Sequence, residues 1–337
     1  MISFFPTPYP DELWYSVICR YHIRSGNPCI KYTLNELYGT HYYNASLFLC
    51  GPVLHLLSLL PKNTLSVEQV IFDHTLFPYY ARFFTISRKK SSYKYTLLGD
   101  SRAIHRLGIY QSKGNKFSTL RYCPLCLQED FNKYGEPYWH RLHQLPEMSI
   151  CPRHRCWLVE TNAPSYYSTQ LSLVPATIDI KLGQSPSTPV PNALLSLNQL
   201  IADTVLYPFN FKDGSIYHTV LDKQLRAHGW RSITGGRTYA SSVESALLSF
   251  FGDFVPASDI STKQLHATLS TKSVSPRYIL EVAAFFNLTL PELIRNPVKP
   301  LPNYRAEMKE LYQSGLSMYH LAKLYGIDCK TVARYVK

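Results

Sequence analysis

Two pairs of metal-type ligands, Cys123-Pro-Leu-Cys126 and Cys151-Pro-Arg-His154, separated by 24 residues, constrain this chain more than any other feature. Each two-residue spacer lets one tight turn present two donors to the same ion, and the long insert brings the second knuckle round to close a tetrahedral shell. Three thiolates and one imidazole leave no open position for water or substrate, so the expected cofactor is one structural Zn2+. His143 and Cys156 are close enough in sequence to be rival ligands, but each breaks the two-residue spacing. Cys19, Cys29, Cys50 and Cys329 are scattered and read as small hydrophobes. Eight cysteines in 337 residues are too few for a disulfide framework, and paired cysteines in a reducing compartment more often hold metal.

With 337 residues, 45% of them hydrophobic, the chain can bury more than one core. Lys and Arg exceed Asp and Glu by 12, which points to a polyanionic partner. Tyr79-Tyr80-Ala81-Arg82-Phe83 interleaves rings with a cation, as a stacking surface would, or as an ordinary core would. The longest apolar run, residues 47–60, contains Gly51, Pro52 and His55 and is too short for a bilayer. No basic region precedes an apolar stretch at the N-terminus, so a cytoplasmic, nucleoid-associated protein with no membrane partner is expected.

The periodicity predicts a mainly α, multidomain protein. Leu13, Trp14, Val17, Ile18 and Tyr21 recur at helical spacing, with Ser25-Gly26-Asn27 as the stop. Arg20 and Arg24 share a face of that helix and are candidate phosphate contacts, a solvated face being the alternative. Thr33-Leu34-Asn35-Glu36 and Ser66-Val67-Glu68-Gln69 fit capping boxes. Residues 1–85 thus read as a small helical domain compatible with a helix-turn-helix. The basic stretch Arg88–Lys94 reads as a connection into a zinc-finger domain, 86–160, with a short helix expected after Pro137. Arg141, Arg153 and Arg155 decorate that module and could grip phosphates. Residues 161–215 are rich in Ser, Thr and Pro and read as an irregular connector, with short strands around 171–180 and a helix over 193–205.

Two further domains are expected, 216–297 and 298–337. In the last, Met318 to Tyr335 fits a helix-turn-helix template: Ala322 is small where the helices cross, Gly326 takes the turn, and Ile327, Val332 and Tyr335 face inward. That register turns Lys330, Thr331, Arg334 and Lys337 outward on the helix that would enter a major groove, with Lys330 and Thr331 nearest the base edges. A weaker copy runs from Ile279 to Leu293, with Thr289 as a cap and Pro291 in the first turn. The chain stops within or just after its terminal helix, and it is expected to be a piece of a longer protein.

Several co-linear motifs look like landmarks of one family. Phe5-Pro-Thr-Pro-Tyr-Pro-Asp-Glu-Leu13, His74-Thr-Leu-Phe-Pro-Tyr-Tyr80, Arg121-Tyr-Cys-Pro-x-Cys126, Tyr134-Gly-Glu136, Tyr138-Trp-x-Arg141 and Cys151-Pro-x-His154 together resemble TnsD/TniQ proteins over residues 4–160. The resemblance implies a helical domain plus zinc finger in a transposon target-site selector. It also implies duplex attachment-site DNA, an AAA+ regulator of the TnsC type and other transposition proteins as partners. Ser275-Pro-Arg277-Tyr-Ile-Leu280 with Phe285-Phe286 and Leu293-Ile294 resembles the TnsD branch, which reads DNA directly, and makes Arg277 a further candidate contact. The alternative is an adaptor that links an RNA-guided CRISPR effector to the regulator. Such adaptors usually carry a second cysteine cluster, and none follows Cys156. An enzyme is not expected: the deaminase pattern H-x-E with P-C-x-x-C is missing, as is an acidic cluster of two-metal type.

Overall fold

Helices dominate, as the periodicity predicts. The computed structural model describes all residues except 1, 3, 41–47, 63, 110–118, 165–172, 177–186, 214–215, 233–236, 257–258, 270–275, 295–303, 326–327 and 337. Its two compact units are Met1–Asp213 and Gly214–Lys337. The first contains α1 (Trp14–Ser25), α2 (Ile30–Tyr38), α3 (Val53–Leu59), α4 (Val67–His74), α5 (Phe77–Ala81), α6 (Ile86–Leu97), α7 (Arg102–Leu107), β1 (Thr119–Tyr122), α8 (Pro124–Tyr134), β2 (Val159–Pro164) and α9 (Asn192–Leu206). The expected divisions at 86 and 161 fall inside this unit, and the one at 216 adjoins its end. Among the described residues no helix is long and apolar enough to cross a membrane.

The apolar stripe of α1 is buried as its spacing requires, and Gly26, at φ 70°, ends the helix in the left-handed conformation that a residue without Cβ adopts cheaply. The capping box at Ser66 forms: its hydroxyl accepts the Gln69 N–H at 3.1 Å, and Gln69 Oε1 accepts the Ser66 N–H at 2.8 Å. The box expected at Thr33 does not. Helix α2 starts earlier, at Ile30, because Thr33 is buried and shares hydrogen bonds with His22 Nδ1 and Asn27 Nδ2, while Glu36 accepts a second Asn27 N–H.

Arg88–Lys94 is not a connection but most of α6, opened by Thr85, whose hydroxyl accepts the Arg88 N–H. Its buried stripe is Lys89, Ser92 and Thr96, so a search for apolar spacing passes over it. Tyr79–Phe83 belongs to the interior and not to a stacking surface. Tyr79, Ala81, Arg82 and Phe83 are buried, and the Arg82 guanidinium donates to the Thr204, Tyr207 and Pro208 carbonyls at the C-terminal end of α9. A cation there satisfies acceptors the helix leaves unpaired and complements its dipole.

The expected helix over 193–205 is α9, whereas strands around 171–180 lie largely outside the described residues. The described strands form one antiparallel pair, with Arg121 opposite Glu160 and Tyr122 opposite Val159. The N-terminal segment is laced to the insert between the knuckles: Leu13 N–H donates to Trp139 O at 2.8 Å, and Arg141 N–H to Asp11 O at 2.7 Å.

The second unit contains α10 (Tyr217–Ala227), α11 (Ala240–Phe251), α12 (Thr262–Leu269), α13 (Pro276–Phe285), α14 (Leu290–Ile294), α15 (Tyr304–Gln313), α16 (Met318–Tyr325) and α17 (Cys329–Val336). The last three helices share a core of Met308, Leu321, Ala322, Val332 and Val336. Tyr335 packs against that core, as the helix-turn-helix register requires, while Gly326 and Ile327 lie outside the described residues.

Candidate metal centre

The four ligands expected from spacing converge. Cys123 follows β1 and caps α8, where Pro124 opens the helix without needing an N–H partner, and the first turn brings Cys126 back beside Cys123. In the second knuckle, Cys151 N–H donates to Cys156 O at 2.8 Å and Arg155 N–H to Cys151 O at 2.7 Å. Arg155 takes φ 52° to close that loop. His154 Nδ1 lies 3.3 Å from the Sγ atoms of both Cys123 and Cys126 and 3.7 Å from Cys151 Sγ. Cys126 and Cys151 Sγ are 3.7 Å apart, and all four donor atoms fall within 4.8 Å of one another.

Bonds of about 2.3 Å to sulfur and about 2.0 Å to nitrogen give a tetrahedral zinc shell donor separations of roughly 3.5–3.8 Å. The cluster can therefore hold one metal ion, and its S3N donor set suits zinc. Of the rival ligands, Cys156 is 3.5 Å from Cys123 Sγ but outside the four-donor group, and His143 is buried against His140.

Four further residues brace the cluster. Glu129, one helical turn beyond Cys126 on α8, lies 3.2 Å from His154 Nε2, so the ring that turns Nδ1 to the sulfurs donates its other N–H to a carboxylate. Arg153 Nη1 pairs with the same carboxylate at 2.8 Å. Beneath the second knuckle, buried Arg121 donates to the Leu145 and Met148 carbonyls. Asn198 of α9 accepts the N–H groups of Ser149 and Ile150 at 2.8 and 3.0 Å. The helix expected after Pro137 is a short 3₁₀ turn, Leu142–Gln144, and the insert's regular helix is α8, running from Pro124 to the left-handed Gly135.

Two buried imidazoles near this module make it acid-sensitive. Burial, aided by His140, pushes His143 down to about 3, and burial also lowers His74. His143 therefore contributes stability that is complete above about pH 6.5 and is lost as pH falls toward 3, and the lowered His74 acts in the same direction. We expect unfolding free energy to fall by up to about 1.4 kcal/mol per pH unit in that window from His143. Urea titrations of the native chain and of His143→Gln check this: the variant should show the shallower pH dependence, and equal slopes would refute it.

The candidate DNA contacts divide sharply by environment. Arg20 is buried, paired with Glu12 and Glu136 at 2.8 Å each, and lies over the Tyr9 ring. Arg141 is buried on Asp11, and Arg277 pairs with Asp259 and Glu281. These three arginines are paired with carboxylates within the fold. Arg24 is half exposed beside Glu136, and Arg153 and Arg155 are exposed next to the metal ligands. Lys330 and Arg334 are exposed on α17; the Thr331 side chain and Lys337 lie outside the described residues.

Residues 3–158 match the TniQ family. The chain is 35% identical over 154 residues to the transposon Tn7 transposition protein TnsD of Escherichia coli. That alignment covers 44% of this chain and 30% of that protein, so the chain spans under a third of its relative. On this match and identity, residues 3–158 of the chain form a domain of the TniQ family.

Proposed function

We propose that this protein is a DNA-binding target-site selector of a transposon, which marks a duplex attachment site and recruits an AAA+ regulator of the TnsC type. It catalyses no reaction itself. One structural zinc, held by Cys123, Cys126, Cys151 and His154, fixes the TniQ module, and α17 reads the DNA. The observation that carries the reading is the terminal three-helix arrangement: Leu321, Ala322, Val332 and Val336 are buried while Lys330 and Arg334 face solvent, the register a recognition helix needs. Support for transposition comes from the TniQ domain and the Tn7 relative. The α13–α14 pair is a weaker candidate. Asn287 turns at φ 51° and Glu292 caps Thr289, yet α14 has five residues, carries no basic side chain and exposes Glu292.

Lys330→Ala combined with Thr331→Ala tests the reading. If they touch bases, the pair costs roughly 1–3 kcal/mol on the selected site and lowers its preference over a scrambled duplex. An unchanged ratio between the two DNAs would show that α17 does not read sequence. An adaptor that depends on an RNA-guided complex would show no preference in the wild-type chain alone.

A further inference from the structure

The stretch Arg88–Lys94 reads in the sequence as a connection, and neither the metal centre nor α17 explains the surface of the α6–α7 hairpin to which it belongs. Residues 86–107 hold six Lys and Arg against one acid, Asp100, so this hairpin carries +5 of the chain's net +12. Helix α6 buries Lys89, Ser92 and Thr96, which leaves Lys90 and Lys94 exposed one turn apart on another face. From α7, the guanidinium carbons of Arg102 and Arg106 lie 4.4 and 6.0 Å from the Tyr95 ring centroid of α6. Arg88, over the Phe84 ring, donates to the Arg106 carbonyl and fastens α6 to the end of α7. Stacking and this fastening restrict long cationic side chains that would otherwise lose more entropy on meeting a ligand. Lys89 is buried facing Asp213, Asp100 pairs with Arg102 and Glu68 meets Tyr93 Oη at 3.2 Å, which leaves Lys90, Lys94 and Arg106 as exposed cations.

From this cluster we infer that the α6–α7 hairpin is a second DNA-binding surface, one that grips the phosphate backbone of duplex DNA without reading its sequence. The inference rests on the DNA-binding reading above but concerns a different unit from α17. Exposed cations supplied by two short, packed helices suit the phosphates of a rigid duplex.

The test uses the full chain, a fluorescent random-sequence duplex and a salt series, with Lys90→Gln/Lys94→Gln as the principal variant. Both lysines are exposed, so zinc content and melting temperature should stay at wild-type values. We expect the slope of log affinity against log salt to shrink by about 0.9 per lost phosphate contact, and affinity near 0.1 M salt to fall about tenfold or more. Arg at both positions should restore the slope. Adding Arg102→Gln and Arg106→Gln should deepen the effect while the preference for the selected site over scrambled DNA stays unchanged. An unaltered slope in the Gln variants, with the wild type binding normally, overturns the inference alone, as would a changed preference without a changed slope. Failure of the wild-type chain to bind any duplex would overturn the target-selector reading as well.

Discussion

Cys126→Ser should abolish zinc binding and unfold the region from β1 to β2, giving insoluble protein or a first unit without its cooperative transition. Ligation of this kind contributes on the order of 10–16 kcal/mol to the folding of small zinc fingers, comparable with or larger than the whole stability of a typical domain. The damage should not stop at the finger. The insert between the knuckles is bonded to Asp11 and Leu13 at one end and to Asn198 of α9 at the other, so helices on both sides lose their support. A graded companion is Glu129→Ala, which leaves all four ligands but removes the carboxylate behind His154. It should retain zinc with affinity lowered about 10- to 100-fold. Cys329→Ser, at an exposed position on α17, should retain one zinc per chain. Metal analysis and chelator competition read all three, and soluble, DNA-binding Cys126→Ser protein would contradict the assignment.

DNA affinity should fall steeply with salt. If the exposed cations of α17, the metal module and the α6–α7 hairpin engage about six to ten phosphates, raising salt from 50 to 200 mM weakens binding by roughly 10³–10⁵. Arg20, Arg141 and Arg277 should add little to that slope, since each is committed to carboxylates within the fold. Truncating them should lower stability far more than it alters the salt slope. A slope near zero for the wild-type chain would contradict the electrostatic account.

That division also marks where reading the sequence succeeds and where it stops. Two-residue ligand spacing is a local property, and so are the α1 stripe, the Gly26 stop and the Ser66 capping box; each was legible because neighbours in sequence decide it. Helix α6 was hidden because its buried stripe is polar, and Lys89 is accommodated by a distant carbonyl, that of Asp213. Arg20 looked like a surface cation for the same reason: a basic residue announces its charge, whereas its buried partner Glu136 lies far along the chain. Thr33 shows the reverse error, a local capping pattern overridden by tertiary hydrogen bonds. At the metal centre the ligands were readable, but Asn198 was not, because nothing in the sequence near residue 198 indicates the knuckle it holds. Glu129 had a signal that could have found it, a carboxylate three residues after a ligand on a helix opened by Pro124 and stopped by Gly135.

The central claim is that this chain itself selects a DNA site. The measurement that meets it most directly is selection of bound duplexes from a random-sequence library by the zinc-loaded full chain, followed by affinities for the enriched and a scrambled duplex at one salt concentration. The account predicts enrichment of a discrete sequence, bound on the order of 10³-fold or more tighter than its scrambled counterpart. A library that emerges without enrichment, from a protein that is folded and holds one zinc, would contradict it.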